Sequence, residues 1–376
     1  MKIALNATIA SPQQTGTGVY AANLTSALMQ LQPDHEFVIY CCNDMVDWFQ
    51  ERRNGHASTV KGIDFKSPSQ RIFWEQTQLR GDLKRQRVDL LHSMAFTSPV
   101  VNSVRSVVTV HDLAFVDFPE TLPLAKRLYY KPIFQRSLRK ANRVITPSET
   151  VRKQVIEAFG VQSGTVFATP LAVDAEFRGA NSDIRSHERI AKYGVSQPYL
   201  LAVGTLDPRK NLFLLLKAYD LLKRNSNLKH QLVIVGKRGW QDVQQDELAK
   251  RWKQSNDIVF TGYVAQADMP HLYAGADLFL FPSLYEGFGL PLLEAMAAGA
   301  PVLASDIAVH REVCAEAALF ANPRSAEEWQ STILRILQNT PMIDNIRQKG
   351  WERVKHFSWQ KTAELTLKAY EMEDVR

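Results

Sequence analysis

Short apolar runs alternate with longer amphipathic stretches along most of the 376 residues. Ile3–Ile9, Phe37–Cys41, Val88–Leu91, Val107–Val110 and Val144–Ile145 read as buried strands, each followed by a segment of helical period. Apolar strands separated by helix-length connections predict parallel sheets, because a parallel pair needs a crossover and helices then cover both faces. The rhythm breaks from about Arg178 to Gln197, where Gly179, Asn181, Ser182 and several charges intervene, and restarts at Tyr199–Val203. Further strands are predicted at Leu232–Val235, Ile258–Phe260, Leu278–Phe281 and Val302–Ala304. The pattern predicts an α/β chain of two doubly wound parallel sheets, one in a domain over residues 1–180 and one in a domain over 195–356. A chain of this length exceeds the roughly 250–300 residues at which single cores stop growing. In the last stretch Ser358 can cap an amphipathic helix running through Tyr370.

Composition narrows the class. Hydrophobic residues make up 45% and charged residues 22%, the balance of a folded globular protein. The polar Asn6 and the short first apolar run argue against a signal peptide, and no apolar stretch approaches the roughly 20 residues needed to span a bilayer. A cytoplasmic protein, peripheral to a membrane at most, is the expectation. Cys41, Cys42 and Cys314 have neither disulfide-framework nor metal-ligand spacing. The net charge of +6 suits an anionic partner, but no nucleic-acid motif accompanies it. Lys126, Arg127, Lys131, Arg136, Arg139 and Lys140 gather beside Leu128, Tyr129, Tyr130, Ile133 and Phe134, forming either a solvated basic face or a surface for anionic lipid or a polyprenyl-diphosphate-linked acceptor.

Ligands of doubly wound sheets bind beyond the carboxyl ends of the strands, so residues just after the apolar runs carry the candidate chemistry. After Leu278–Phe281 comes Pro282–Gly299, read as loop, helix and stop: Pro291 suits the first helical position and Gly299 the left-handed end. Gly287 and Gly289 allow close backbone approach at a helix start whose free N–H groups attract anions. Glu286 stands at that entrance, and Glu294, one turn inside, can accept hydrogen bonds from vicinal ribose hydroxyls. After Tyr199–Val203 come Arg209 and Lys210, able to offset a diphosphate's charge without a divalent ion, and no Asp-x-Asp metal motif occurs. His111 follows Val107–Val110 at a strand end, while Gly16 and Gly18 precede a helix.

Pro282–Gly299 resembles the Glu-x7-Glu signature of the retaining glycosyltransferases called family 4, with its Pro-Ser, Glu-Gly-Phe-Gly-Leu and Glu-Ala-Met elements. The resemblance implies a GT-B fold of two Rossmann-like domains facing across a cleft, a nucleoside-diphosphate-sugar donor and no obligatory metal or other cofactor. It implies that Glu286 contacts the donor sugar, that Glu294 holds the nucleotide ribose, and that Gly287, Phe288, Gly289 and Leu290 supply backbone contacts. Val203–Asn211 looks like the family's phosphate-binding turn, with Arg209 and Lys210 as its cations; Thr205 stands where many members carry a further arginine. His111 is similar to a histidine that positions the transferred sugar, and Gly16 and Gly18 to a loop covering donor phosphates. Phe260–Val264 resembles the element whose backbone reads the base, which brings in Tyr263 and Val264. The terminal segment 357–376 resembles the crossover helix that completes the first domain.

Within the family, Arg71–Gln76 and His111–Phe115 are similar to segments of bacterial mannosyl- and rhamnosyltransferases of surface polysaccharide synthesis. The expected reaction moves a hexose, mannose from GDP-mannose in the leading reading, to a glycan or lipid-linked saccharide. Two alternatives stay open on the residues alone. Gly16-Thr17-Gly18-Val19-Tyr20-Ala21 matches Gly-x-Gly-x-x-Ala of NAD-dependent oxidoreductases, with Asp44 as ribose ligand, although Ser11–Thr15 lengthens the turn beyond the usual. A nucleotide-sugar-binding protein without transferase activity would use the same site.

Overall fold

The computed structural model describes residues 1–12, 16–31, 34–101, 104–119, 124–178, 187–205, 207–236 and 257–372. The chain forms two compact units, one of Met1–Leu171 with Phe357–Arg376 and one of Ala172–His356.

The first unit holds a seven-stranded sheet of β1 (Lys2–Asn6), β2 (Glu36–Cys42), β3 (Ser58–Ile63), β4 (Leu90–Ser93), β5 (Arg105–Thr109), β6 (Arg143–Thr146) and β7 (Val166–Ala168). Its order is β3-β2-β1-β4-β5-β6-β7, with all neighbours parallel. The second unit holds six strands, β8 (Tyr199–Val203), β9 (Gln231–Val235), β10 (Ile258–Gly262), β11 (Leu278–Phe281), β12 (Val302–Ser305) and β13 (Leu319–Ala321), in the order β10-β9-β8-β11-β12-β13, again parallel. In each sheet the order reverses once, between β1 and β4 and between β8 and β11. The helices flanking such a reversal diverge and open a crevice at the carboxyl ends.

Every strand predicted from the apolar runs is present. The strands without such a signal, β3, β7 and β13, are all edge strands, half-exposed and therefore lacking a continuous apolar run. Two of the boundaries that differ have a clear local cause. The first strand stops at Asn6, not Ile9, because the Asn6 side-chain carbonyl accepts from the Thr8 hydroxyl (2.7 Å) and turns the chain. The strand expected at Val88–Leu91 begins at Leu90, because Arg87 takes a left-handed φ of 53° and Val88 N–H bonds back to Leu83.

Two apolar clusters build the first unit, one around Val108, Phe134, Val144 and Val151, the other around Ala4, Val38, Tyr40, Leu79 and Leu91. A single cluster with Leu200, Leu215, Tyr219, Leu280 and fully buried Trp329 builds the second. Ser148, Ser325 and Ser358 cap their helices by accepting the N–H three residues on, at 3.1 Å each. The helix capped by Ser358, Trp359–Glu371, packs on the helix Gly16–Gln30 of the first unit and buries Ala363, Thr366, Ala369 and Tyr370.

The basic segment lies on the helix Leu124–Lys140, interrupted by Pro132. The side chains of Lys126, Arg127, Leu128, Tyr129 and Tyr130 lie outside the described residues; Lys131, Arg136, Arg139 and Lys140 are exposed, whereas Phe134 is core. Among the described residues no helix is long and apolar enough to cross a membrane.

Candidate functional site

In the second unit the loop after β11 enters the helix Leu290–Ala297 through Gly289, whose φ is 95°. A Cβ there would meet Leu292 Cδ1 at 2.8 Å, so both conformation and space demand glycine. Leu290 opens the helix and Pro291 stands second, one place later than the pattern predicts; neither position needs a free N–H of proline. Three links tie this loop to the turn after β8. Leu284 N–H donates to Arg209 O (2.7 Å), the Asn211 amide donates to Pro282 O (3.1 Å) and Pro323 O (2.8 Å), and Lys210 Nζ pairs with Glu286 Oε1 at 2.5 Å. Asn211 adopts a left-handed φ of 56°, which asparagine tolerates and which ends the Pro208–Lys210 turn. Two motifs 76 residues apart in sequence thus form one cluster at the β8/β11 switch point.

The electrostatics divide the two glutamates. Burial acts to raise the Glu286 pKa, but the Lys210 charge and hydrogen bond, with the Ser283 hydroxyl, outweigh it and hold the carboxyl below its usual range. Burial dominates at Glu294, raising it to about 7 with help from Asp174 and against the hydrogen bond from Tyr273 (2.7 Å). Glu286 is therefore ionised at neutral pH while Glu294 sits near half-titration. The Arg209 guanidinium lies against Asp207, with Nε and Nη2 each 3.2 Å from a carboxylate oxygen. Lys210 also stands 5.1 Å from the centre of the Phe281 ring.

Gly287, Phe288 and Leu290 line the same loop and helix start, Phe288 and Leu290 being buried. Tyr263 and Val264 follow β10, on the far side of β9 and β8 from β11, which is about 14 Å at ordinary strand spacing. Tyr263 is 47% exposed and Val264 is core. Between them and the Lys210 cluster, Gly204 and Gly236 bring backbones together at the ends of β8 and β9; a Cβ on Gly236 would collide with Gly204 O. Leu206, within the predicted phosphate turn, lies outside the described residues.

In the first unit, His111 stands just beyond β5, buried, with Nε2 donating to Met94 O at 2.8 Å. Burial pulls its pKa down to about 4 against that bond, so the ring is neutral at physiological pH and its Nδ1 keeps the lone pair. The Tyr20 and Phe96 rings meet it edge-on at 4.8 and 5.5 Å between centroids. Beneath it runs a buried chain in which Tyr20 OH meets Thr109 Oγ1 at 2.9 Å, His92 Nε2 the same oxygen at 2.7 Å, and Tyr370 OH His92 Nδ1 at 2.6 Å. Gly16 and Gly18 begin the helix Gly16–Gln30, Gly16 exposed and Gly18 buried, with no acidic side chain in the first turn. Asp44 is exposed in the short turn Asn43–Met45 after β2.

Several residues at the second-unit site carry no signal in sequence. Tyr273, on the helix Met269–Gly275, becomes a partner of Glu294 only through tertiary packing. His310 is fully buried with Nδ1 donating to Ser305 O (2.9 Å), its ring 5.2 Å from Phe281, and it senses the charges of Glu286 and Lys210. Burial lowers its pKa to about 4, and its Nε2 has no partner. Gly236 had no motif to mark it. Among the described residues no three His, Cys, Asp or Glu side chains are grouped to hold a metal ion.

Comparison with known proteins bears on both units. A model described as glycosyl transferases group 1 matches residues 184–353, and one described as glycosyltransferase family 4 matches 15–177, including Gly16–Ala21. The chain is 34% identical over 269 residues to O-antigen chain mannosyltransferase B of Escherichia coli, covering 71% of this chain and 70% of that protein. It is 25% identical over 337 residues to O-antigen chain mannosyltransferase RfbU of Salmonella typhimurium, covering 86% and 88%. The solved structure of Anabaena Alr3699/HepE in complex with UDP-glucose superposes with a TM-score of 0.76 over 99% of this chain and 100% of that one, at 17% identity. The switch-point site, the strand order and these matches agree: the chain belongs to glycosyltransferase family 4 and has the GT-B fold.

Proposed function

We propose that this glycosyltransferase transfers mannose from GDP-mannose to a saccharide acceptor in surface polysaccharide synthesis, with retention and without an obligatory metal. The observation that carries the reading is the Lys210–Glu286 pair, tied through the Arg209 carbonyl and the Asn211 side-chain amide to the loop that enters the helix Leu290–Ala297. Mannose as the transferred sugar is supported by the relatives, both named as mannosyltransferases.

Glu286, kept ionised by Lys210, accepts hydrogen bonds from the sugar hydroxyls. Lys210, Arg209 and the positive end of the helix Leu290–Ala297 face the diphosphate, and Glu294 takes the ribose. Tyr263 and Val264, several strands away, stand at the base end. As the bond from C1 to the phosphate oxygen breaks, its electron pair goes to the diphosphate. That growing charge is what fixed cations and helix-end dipoles stabilise. An acceptor hydroxyl oxygen bonds C1 from the same face, and its proton leaves with the departing diphosphate. The family resemblance assigns the neutral ring of His111 to the transferred sugar and Gly16 and Gly18 to a loop that covers donor phosphates.

Incubation with GDP-mannose and a mannoside acceptor in EDTA, read by proton NMR, tests the reading. The expected product is an α-mannoside, with Glu286→Ala lowering turnover at least a hundredfold. A β-linked product, a demand for metal or a fully active Glu286→Ala protein refutes the corresponding part.

A further inference from the structure

The chain passes from the first unit to the second between Leu171 and Ala172, and the first element beyond that crossing is the short turn Ala175–Phe177. Just before the crossing the chain is tied down, because the Thr362 hydroxyl on the terminal helix donates to Pro170 O at 2.6 Å. Just after it, the turn packs on the helix Leu290–Ala297 and buries Phe177. The donor contacts proposed for the second unit do not use this stretch.

From Phe177 a row of buried rings crosses the second unit. Phe177 meets Tyr273 at 5.9 Å between centroids, Tyr273 meets Phe279 at 5.2 Å, Phe279 stacks on Phe281 at 5.8 Å, and Phe281 meets His310 at 5.2 Å. Phe279 and Phe281 are two positions apart on β11, so their side chains share one face of the sheet. Each of the five rings is at most 1% exposed, and in a close-packed interior none can turn without displacing the next. The row carries a donor-site group at two places. The Lys210 ammonium stands 5.1 Å from the Phe281 ring, and the Tyr273 hydroxyl donates to Glu294 Oε2 at 2.7 Å. Packing alone would be met by a phenylalanine at position 273; the added hydroxyl directs its hydrogen bond to Glu294.

We propose that Phe177 and Tyr273 are positioning residues for donor binding: Phe177, from the segment that joins the units, holds the Tyr273 ring, and the Tyr273 hydroxyl holds the Glu294 carboxylate in place for the nucleotide. Asp174, in the same segment, acts on that carboxylate by charge, so the joining segment tunes nucleotide affinity. The groups that bear on Glu294 come from two elements packed against its helix, Tyr273 from Met269–Gly275 and Asp174 from the residue before the turn Ala175–Phe177. The helices Ala308–Cys314 and Thr340–Val354 pack on it as well, but there His310 senses the Lys210–Glu286 pair and Arg347 donates to Gly299 O. Tyr273 and Asp174 pull in opposite directions, the hydrogen bond favouring the ionised carboxyl and the negative charge the neutral one. Tyr273 stays a donor throughout, since burial and the carboxylate beside it push its own pKa well up. This rests on the assignment of Glu294 to the nucleotide.

Calorimetric titration of the full chain with GDP between about pH 5.5 and 8.5 tests it, with Glu294→Gln alongside and thermal unfolding reporting that each variant is folded. GDP affinity rises with pH as Glu294 ionises. Asp174→Asn should move that rise to lower pH and Tyr273→Phe should move it to higher pH, each by about half a unit or more. Phe177→Leu, which loosens the Tyr273 ring, should move it in the same direction as Tyr273→Phe and raise the GDP Kd about threefold or more at the alkaline end. Should Phe177→Leu unfold, Asp174→Asn, a change of charge at a half-buried position, keeps the test open. Loosened packing weakens binding at every pH alike and cannot give opposite displacements. Asp174→Asn and Tyr273→Phe profiles that coincide with the wild type or move together, while Glu294→Gln flattens its own, overturn the part of the joining segment and leave the ribose role standing. A Glu294→Gln profile parallel to the wild type overturns the ribose role, and this proposal with it.

Discussion

At the scale of single residues, two glutamates eight positions apart are pushed to opposite sides of the ordinary carboxyl range by what surrounds them. Lys210 keeps Glu286 charged, so its contribution to stability is present above the unfolded carboxyl range and lost as pH falls through it. Glu294 is raised to about 7 by burial, so it favours the fold at acid pH, and that contribution fades as pH rises from the unfolded range towards 7. A ribose hydroxyl pair donates to an ionised carboxylate, so GDP affinity should rise with pH and level off above about 7. Calorimetric titrations from pH 5.5 to 8.5 check this against Glu294→Gln, in which the slope attributable to this group should vanish; parallel profiles would remove the ribose role. Gly289→Ala should cost about 1–2 kcal/mol for the left-handed backbone alone, with the Leu292 contact adding to it, as read by urea unfolding. Glu286, Gly289 and Lys210 were legible beforehand because motif and local backbone demand coincide there. Tyr273 and His310 were not, since an isolated tyrosine or histidine on an apolar element looks like core until packing supplies its partner.

At the scale of elements, the terminal helix Trp359–Glu371 belongs to the first unit by side-chain chemistry as well as by burial. Tyr370 donates or accepts at His92 Nδ1, and His92, pulled down to about 3 by burial, stays neutral in a chain of hydrogen bonds reaching Tyr20. Tyr370→Phe leaves a buried ring nitrogen unsatisfied and should destabilise by about 1–3 kcal/mol. It should also slow transfer more than it weakens GDP binding, because the chain it breaks underlies His111. A loss confined to stability, with kcat unchanged, would mark the chain as structural only. The helix itself was readable from Ser358 and its periodicity, and the strands from their apolar runs. The edge strands β3, β7 and β13 were not, because a half-exposed strand has no reason to be continuously apolar.

At the scale of the molecule, each unit has its own core, and the loss of one should not melt the other. Trp329→Ala, in the centre of the second unit's cluster, should cost about 3–5 kcal/mol. Hydrogen exchange should then quicken in β8–β13 while β1–β7 keep their protection. A loss spread evenly over both sheets would show that the units unfold as one. The family matches divide in the same manner, one model over 15–177 and another over 184–353.

Sequence by itself determined the two parallel sheets, the loop and helix of the Glu-x7-Glu segment and the family, because apolar periodicity, glycine punctuation and the Glu-x7-Glu spacing are local along the chain. Tertiary structure decided which charges meet. Lys210 faces Glu286 because β8 and β11 are neighbours across a strand-order reversal, and Arg71 is fixed by Glu75 because Asn6 ends β1 beside that helix. Such pairings depend on contacts between segments tens of residues apart, and on burial that sets each group's charge, neither of which is written in local pattern.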